Sequence, residues 1–331
     1  MAERILITGI TGFVGSHLAD LVFEKGKDYE VWGTKRWHLS RMDHVMHIAD
    51  RINWVDCDLT DPISVRNMLD IVKPDRIFHC AAESFVSPSW LNPHRYMTVN
   101  YTGTVNLLDG LKQAKSKAPF HIPGSGEEYG EIHESELPIT EETVLRPVNP
   151  YAVTKIAQDL IAFVYHRSYG VNVIRTRAFN HEGPRREYVF GIPWYAYQVA
   201  RIEAGKQDPL MKVGHLDDRR NFTHVRDMVE AYWIASHKCD PGELYLVGSE
   251  KPETIHTFKN ALESLIGMSR VKGIKYEQDS QYVRPTQVPR LIAKTEKFRN
   301  KTGWEPKIPF ERILTDTLDY WRGRIAAGKD R

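Results

Sequence analysis

The stretch ILITGITGFVGSHLAD, near the start of the 331-residue chain, narrows the choice of fold more than any other. Ile5 to Thr8 is a short β-prone apolar run, and Gly9, Gly12 and Gly15 follow it at once. His17 to Phe23 then has the spacing of an amphipathic helix. Strand, glycine turn and helix in that order form the first unit of a dinucleotide-binding sheet. The glycines allow a tight turn, a close approach of pyrophosphate and packing of helix on strand. The helix N-terminus turns N–H donors and a positive dipole end toward the phosphates. Thr8, Phe13 and Val14 complete the expected cofactor loop.

The first half of the chain continues the alternation. Glu30 to Gly33, Asn53 to Cys57, Arg76 to Cys80, Phe120 to Ile122 and Asn172 to Thr176 read as strands. Helical spacing separates several of them, as at Val105 to Lys115, and Tyr151 to Ser168 follows Phe120 to Ile122. Short strands alternating with helices predict α/β architecture, a Rossmann-like, doubly wound parallel sheet covered on both faces. Ligands of such sheets bind beyond the carboxyl ends of the strands. After about residue 178 the pattern loosens into prolines and aromatics. The expected division is a dinucleotide-binding domain over 1–178, to which a segment at about 222–250 returns, and a smaller C-terminal α/β substrate lobe over 179–331.

Composition removes several function classes. A net charge of +2 gives no field for nucleic acid or an anionic membrane. The sequence has no apolar run near the ~20 residues that span a bilayer. Cys57, Cys80 and Cys239 have neither pairing nor metal-type spacing, as expected of a reducing compartment. The expectation is a cytoplasmic protein without metal.

Two further motifs carry chemistry. NPYAVTK places Tyr151 and Lys155 one helical turn apart on the same face. An ammonium there is expected to lower the phenol pKa, so that Tyr151 can take a proton from a sugar hydroxyl while hydride leaves. After the second strand, GTKRWHLSR offers Lys35 and Arg36 where an NAD site usually has an acid. Two cations suit a 2′-phosphate, which predicts NADP.

The glycine spacing, with TGxxGFxG around it, resembles the extended short-chain dehydrogenase/reductase superfamily. That resemblance implies that Asp58 and Leu59 flank the adenine and that Ala81 and Ala82 line the nicotinamide pocket. It also makes Ser125 the hydroxyl partner of Tyr151 and Lys155. Nearly the whole chain further resembles the GDP-mannose 4,6-dehydratase family and its relatives, the GDP-4-keto-6-deoxy-mannose reductases. The segments that carry this likeness include AAESFVSPSW, GSGEEYG, RAFNHEGPRR, VGHLDDRRNFTHVRDMVEAYW and VRPTQVP. For a dehydratase it implies that Glu127, in GSGEEYG, is the base that removes the C5 proton, with Gly126 replacing the family's middle residue. Glu128 is expected to face away from the site, because consecutive residues diverge in an extended segment.

Substrate contacts implied by the resemblance are Ser84, Ser125, Glu127 and Asn180, with Arg220 and Arg284 gripping the diphosphate of a GDP-linked hexose. Arg185 and Arg186 are expected in a loop that helps hold NADP, often across a subunit contact, in a homodimer or homotetramer. HExPRR is dehydratase-like, whereas TGFVGSHL, HVRDMVEAYW and RPTQVP are closer to the reductases. The expected activity is that of an NADP-dependent GDP-mannose 4,6-dehydratase; a GDP-4-keto-6-deoxy-mannose reductase, a nucleotide-sugar epimerase and an NADP-binding regulator that performs no reaction are the alternatives.

Overall fold

In the computed structural model, which describes residues 2–26 and 28–329, six strands follow one another through the first half of the chain. They are β1 (Glu3–Thr8), β2 (Tyr29–Lys35), β3 (Asn53–Asp56), β4 (Arg76–His79), β5 (Phe120–Ser125) and β6 (Val173–Ala178). With the later strand Leu244–Val247 they form a 7-stranded sheet in the order Leu244–Val247, β6, β5, β4, β1, β2, β3. All neighbouring pairs are parallel. The doubly wound α/β sheet expected from the alternation is present.

Period-two alternation in the strands decides which face each side chain covers. Ile5 and Ile7 of β1 pack with Leu18, Ala19 and Val22 of the first helix and with Met228 and Val229 of the helix Val225–Lys238. Leu6 points the other way, into a core made by Val65, Met68, Leu107, Leu108 and Ala162. Those come from the helices Pro62–Val72, Gly103–Gln113 and Pro150–Tyr169.

Local chemistry places the helix starts. Asp61 accepts a hydrogen bond from Ile63 N–H ahead of Pro62, and Asn149 accepts one from Ala152 N–H ahead of Pro150. Each is a side-chain cap followed by a proline where no N–H is needed.

β5 and β6 run further than the apolar pattern predicts, to Ser125 and Ala178. Pro123 and Gly124 disguise the end of β5. β6 carries Arg175 and Arg177, both buried, which interrupt its hydrophobic reading.

The remaining chain builds a second core from Ile192, Val199, Leu262, Leu265, Ile313 and Trp321. These belong to the helices Gly191–Glu203, Phe258–Gly267 and Phe310–Ala326. A cleft opens at the carboxyl ends of β1, β4 and β5, and Tyr188 and Phe190 of this later part of the chain line it as well. Among the described residues no helix is long and apolar enough to cross a membrane. Among the same residues no group of three or more His, Cys, Asp or Glu could hold a metal ion.

Candidate active site

The turn after β1 is built around two close approaches. Gly9 has φ +67°, and a Cβ there would lie 2.7 Å from the Ala81 backbone. A Cβ on Gly15 would come within 2.3 Å of the Gly9 carbonyl oxygen. Only glycine fits both places. The helix Phe13–Lys25 begins here with no acidic residue in its first turn, so its N–H groups and dipole face the cleft unopposed. Gly12, Phe13 and Val14 line the cleft beside Gly9 and Gly15.

Toward β2 and β3 the cleft widens into a cavity of about 590 Å³. Lys35, Arg36, Asp58, Leu59, Ala81 and Ala82 all reach its wall. Thr8 does not: it is buried beneath the turn, with its hydroxyl 2.8 Å from His79 Nδ1. A cradle of glycine backbone, an unopposed helix N-terminus and two cations at the far rim fit a phosphorylated dinucleotide.

The other half of the cleft is a cavity of about 670 Å³. Ser125, Glu127, Tyr151 and Lys155 line it together. Ser125 ends β5, Glu127 stands on the short 3-10 turn Gly126–Tyr129, and Tyr151 and Lys155 come from the first turns of the helix Pro150–Tyr169. The Ser125 hydroxyl hydrogen-bonds to the Tyr151 side chain. Asn149, which caps that helix, donates through Nδ2 to Glu127 Oε2 at 3.0 Å. Arg284 stands 3.8 Å from the other Glu127 oxygen.

The electrostatics of Tyr151 differ from the sequence expectation. Burial pushes the phenol pKa up, opposed by the Ser125 hydrogen bond, and the Glu128 and Glu127 carboxylates add to the rise. Lys155 is not among the main influences on this phenol, and its ammonium donates to the Pro123 carbonyl at 2.7 Å and to Gln158 Oε1. Burial in turn lowers the Lys155 pKa, to about 8, against the pull of Glu128 and Asp159.

Glu128 is absent from the cavity wall; it points into the interior of the protein and is fully buried. Its Oε1 accepts Ser125 N–H at 2.7 Å, and its Oε2 lies 2.7 Å from Arg177 Nε. Arg177 reaches Asp159 at 2.6 Å, and Asp159 reaches Arg175 at 3.1 Å. Residues 126–129 form a helical turn, so the two-residue alternation assumed for this segment does not apply. Removing one partner of a buried pair leaves the other charged and poorly compensated. Glu128→Gln is therefore expected to cost about 3 kcal/mol of stability, read as a lower denaturation midpoint in urea.

The expected substrate residues divide. Ser84, Asn180 and Arg284 line the cavity, as do Arg185 and Arg186. Arg220 does not: it is 3% exposed, 3.6 Å from Asp218, although its charge is felt by Glu127 and Arg284. Arg185 and Arg186 engage groups of their own chain. Arg185 is 2.7 Å from Asp20, and Arg186 lies 2.9 Å from Glu182 and 3.8 Å above the Phe190 ring.

Sequence reasoning missed Asn149, Glu128 as an interior group, and Asn100. Asn100 is buried, bonding Glu83 and, at 2.9 Å, Thr154. For Asn149 a signal existed in the Asn-Pro pair that opens the helix. For Asn100 there was none, since its partners are distant in sequence.

A nucleotide cradle beside a Ser–Tyr–Lys group at the carboxyl ends of this sheet is the arrangement of the extended short-chain dehydrogenase/reductase enzymes. The family profile described as GDP-mannose 4,6 dehydratase matches residues 6–317, and the chain belongs to that family. It is similar to a GDP-6-deoxy-D-mannose reductase of Pseudomonas aeruginosa, at 30% identity over 98% of this chain and 99% of the relative. It is also similar to GDP-mannose 4,6 dehydratase 1 of Arabidopsis thaliana, at 31% identity over 95% of this chain and 88% of the plant protein. Among solved structures, that of RMD from Pseudomonas aeruginosa complexed with NADPH superposes with a TM-score of 0.83, at 29% identity over 98% of this chain and all of that one. A Thermus thermophilus UDP-glucose 4-epimerase complexed with NAD gives the same TM-score, 0.83, at 25% identity over 97% of this chain and 99% of that one.

Proposed function

We propose that the chain is an NADP-dependent nucleotide-sugar 4,6-dehydratase, acting on GDP-mannose to give the 4-keto-6-deoxy sugar. The observation that carries this reading is Glu127. Its carboxylate lines the cavity beside Ser125 and Tyr151 and is oriented by Asn149, so an acid/base group is held ready beyond the one oxidation needs. NADP⁺ bound along the glycine turn would supply a hydride acceptor at the start of the cycle and the same hydride at its end. Tyr151, bridged to Ser125, takes the proton of the C4 hydroxyl as that carbon is oxidised. The ketone at C4 acidifies the C5–H. Glu127 removes that proton and delivers it to the C6 hydroxyl, which leaves as water; C6 then takes back the hydride, and Tyr151 returns to C5 the proton it took from the C4 hydroxyl. Arg284, which lines the same cavity 3.8 Å from Glu127, would hold the diphosphate.

Incubation with GDP-mannose and no added NADPH tests this: loss of one water, detected by mass, is the expected result. Reduction of added 4-keto sugar by NADPH, without dehydration, would instead make it a reductase. One observation favours that second reading, the match to nearly the full length of the Pseudomonas reductase.

Lys35 and Arg36 make the 2′-phosphate the preferred ligand of the far cavity. Each charge-assisted contact contributes about 1.5 kcal/mol. Changing both to Ala is expected to weaken NADP binding by about a hundredfold and to leave NAD nearly unchanged, read by fluorescence titration. Equal affinity of the parent protein for both would end the NADP assignment. We further infer a homo-oligomer formed through the helix Pro150–Tyr169, where Val153, Leu160 and Val164 share one exposed face. A monomeric sedimentation coefficient would exclude it.

A further inference from the structure

Lys155 stands at one end of a buried chain of hydrogen bonds that the reaction above does not use. Its ammonium donates to Gln158 Oε1, and Gln158 Nε2 donates to Thr104 Oγ1 at 2.8 Å. His79 Nε2 lies 3.0 Å from the same hydroxyl oxygen. Thr104 gives its own proton to the Asn100 carbonyl at 2.7 Å. A hydroxyl has one proton to give and two lone pairs. The Thr104 oxygen therefore accepts from both Gln158 and His79, and His79 carries its proton on Nε2. His79 Nδ1 is then an acceptor for the Thr8 hydroxyl, 2.8 Å away, and Thr8 Oγ1 accepts Ala81 N–H at 3.3 Å.

Thr8, His79, Asn100, Thr104 and Gln158 are all buried. With each proton assigned, the Gln158 amide has one orientation available, its oxygen toward Lys155. A flipped amide would set N–H groups against the ammonium and an acceptor against a hydroxyl that has no proton left.

We propose that Gln158 is the positioning residue of Lys155, and that the chain from Ala81 through Thr8, His79 and Thr104 holds the lysine in register with the wall of the cofactor cleft. This rests on the proposed function, in which Lys155 serves as a cation beside Tyr151 in the oxidation at C4.

Gln158 also sets the charge of Lys155. The groups facing the ammonium are the Glu128 and Asp159 carboxylates, the Cys80 thiol, and the imidazoles of His79 and His121. Burial lowers both imidazoles to about 3, so they stay neutral. The two carboxylates, the Pro123 carbonyl and the negative end of the Gln158 amide then favour the charged lysine over its desolvation. Removing that dipole must lower the lysine pKa, and replacing it with a carboxylate must raise it.

The test is the titration of Lys155 in cofactor-free protein carrying isotope-labelled lysine side chains, followed by NMR and assigned with Lys155→Met. Gln158→Leu is expected to move the midpoint down by about one pH unit and Gln158→Glu to move it up by about as much. The alkaline limb of kcat should follow in the same two directions. A midpoint unmoved in both variants, or moved the same way in both, overturns the proposal. If Gln158→Leu shows no cooperative melt, the sign of the shift in Gln158→Glu decides alone. The titration needs no substrate, so it stands or falls apart from the choice between dehydratase and reductase. Undiminished turnover by Lys155→Met would instead remove the lysine from the reaction.

Discussion

Tyr151→Phe is expected to lower kcat about a thousandfold while leaving NADP affinity within about twofold. The substitution removes one oxygen from a side chain that is otherwise buried against Val86 and Tyr96, so packing is kept. What disappears is the group proposed to exchange a proton with the C4 hydroxyl. Neither neighbour replaces it. The Ser125 hydroxyl is too weak a base, and the Lys155 ammonium is committed to Pro123 and Gln158. The structure adds a pH dependence. Burial raises the Tyr151 pKa, so the base form grows as pH rises and the rate should climb through the neutral range. Lys155, lowered to about 8, loses its charge above that pH, and the rate should stop climbing there. In Tyr151→Phe the residual rate should be flat across the same range. Parent-like turnover in the variant would place the chemistry elsewhere in the cleft.

How far this site can be read from sequence depends on whether a residue works through its local segment or through distant partners. Gly9 and Gly15 were legible because a turn after a strand has few solutions, and the 2.7 Å and 2.3 Å approaches that exclude a Cβ are consequences of that turn. Tyr151 and Lys155 were legible because their spacing is one helical turn, which held in the helix Pro150–Tyr169. The buried setting of Glu128 was not legible, because a two-residue period does not hold over Gly126–Tyr129, which is a 3-10 turn. Arg177 explains why the turn can bury a carboxylate, but Arg177 lies on a strand whose interior position its own charge concealed. The direction of the Tyr151 pKa was likewise out of reach. Spacing puts an ammonium near a phenol, but the Pro123 carbonyl and the Gln158 amide decide where that ammonium points.

Glu127→Gln is expected to separate oxidation from dehydration. Glutamine keeps the size of the side chain and can still bond Asn149, so the turn over Gly126–Tyr129 should persist. It cannot accept the C5 proton. In the proposed reaction, oxidation at C4 draws on Tyr151, Ser125 and Lys155, which the change leaves in place. Mixed with GDP-mannose, the variant should therefore reduce its bound NADP⁺, seen as the absorbance of reduced nicotinamide, and release water about a thousandfold more slowly than the parent. In deuterated solvent the parent product should carry deuterium at C5, while sugar recovered from the variant should carry little. Arg284, 3.8 Å from the carboxylate, loses a charged partner in the variant, so binding of the diphosphate should not weaken. A fall in rate caused by poor binding would thus show as a raised KM, whereas loss of the C5 base lowers kcat alone. Dehydration at the parent rate by Glu127→Gln would remove Glu127 from the reaction. A parent enzyme that takes hydride only from added NADPH onto a 4-keto sugar would leave Glu127 with no C5 proton to remove, and the cleft would be that of a reductase.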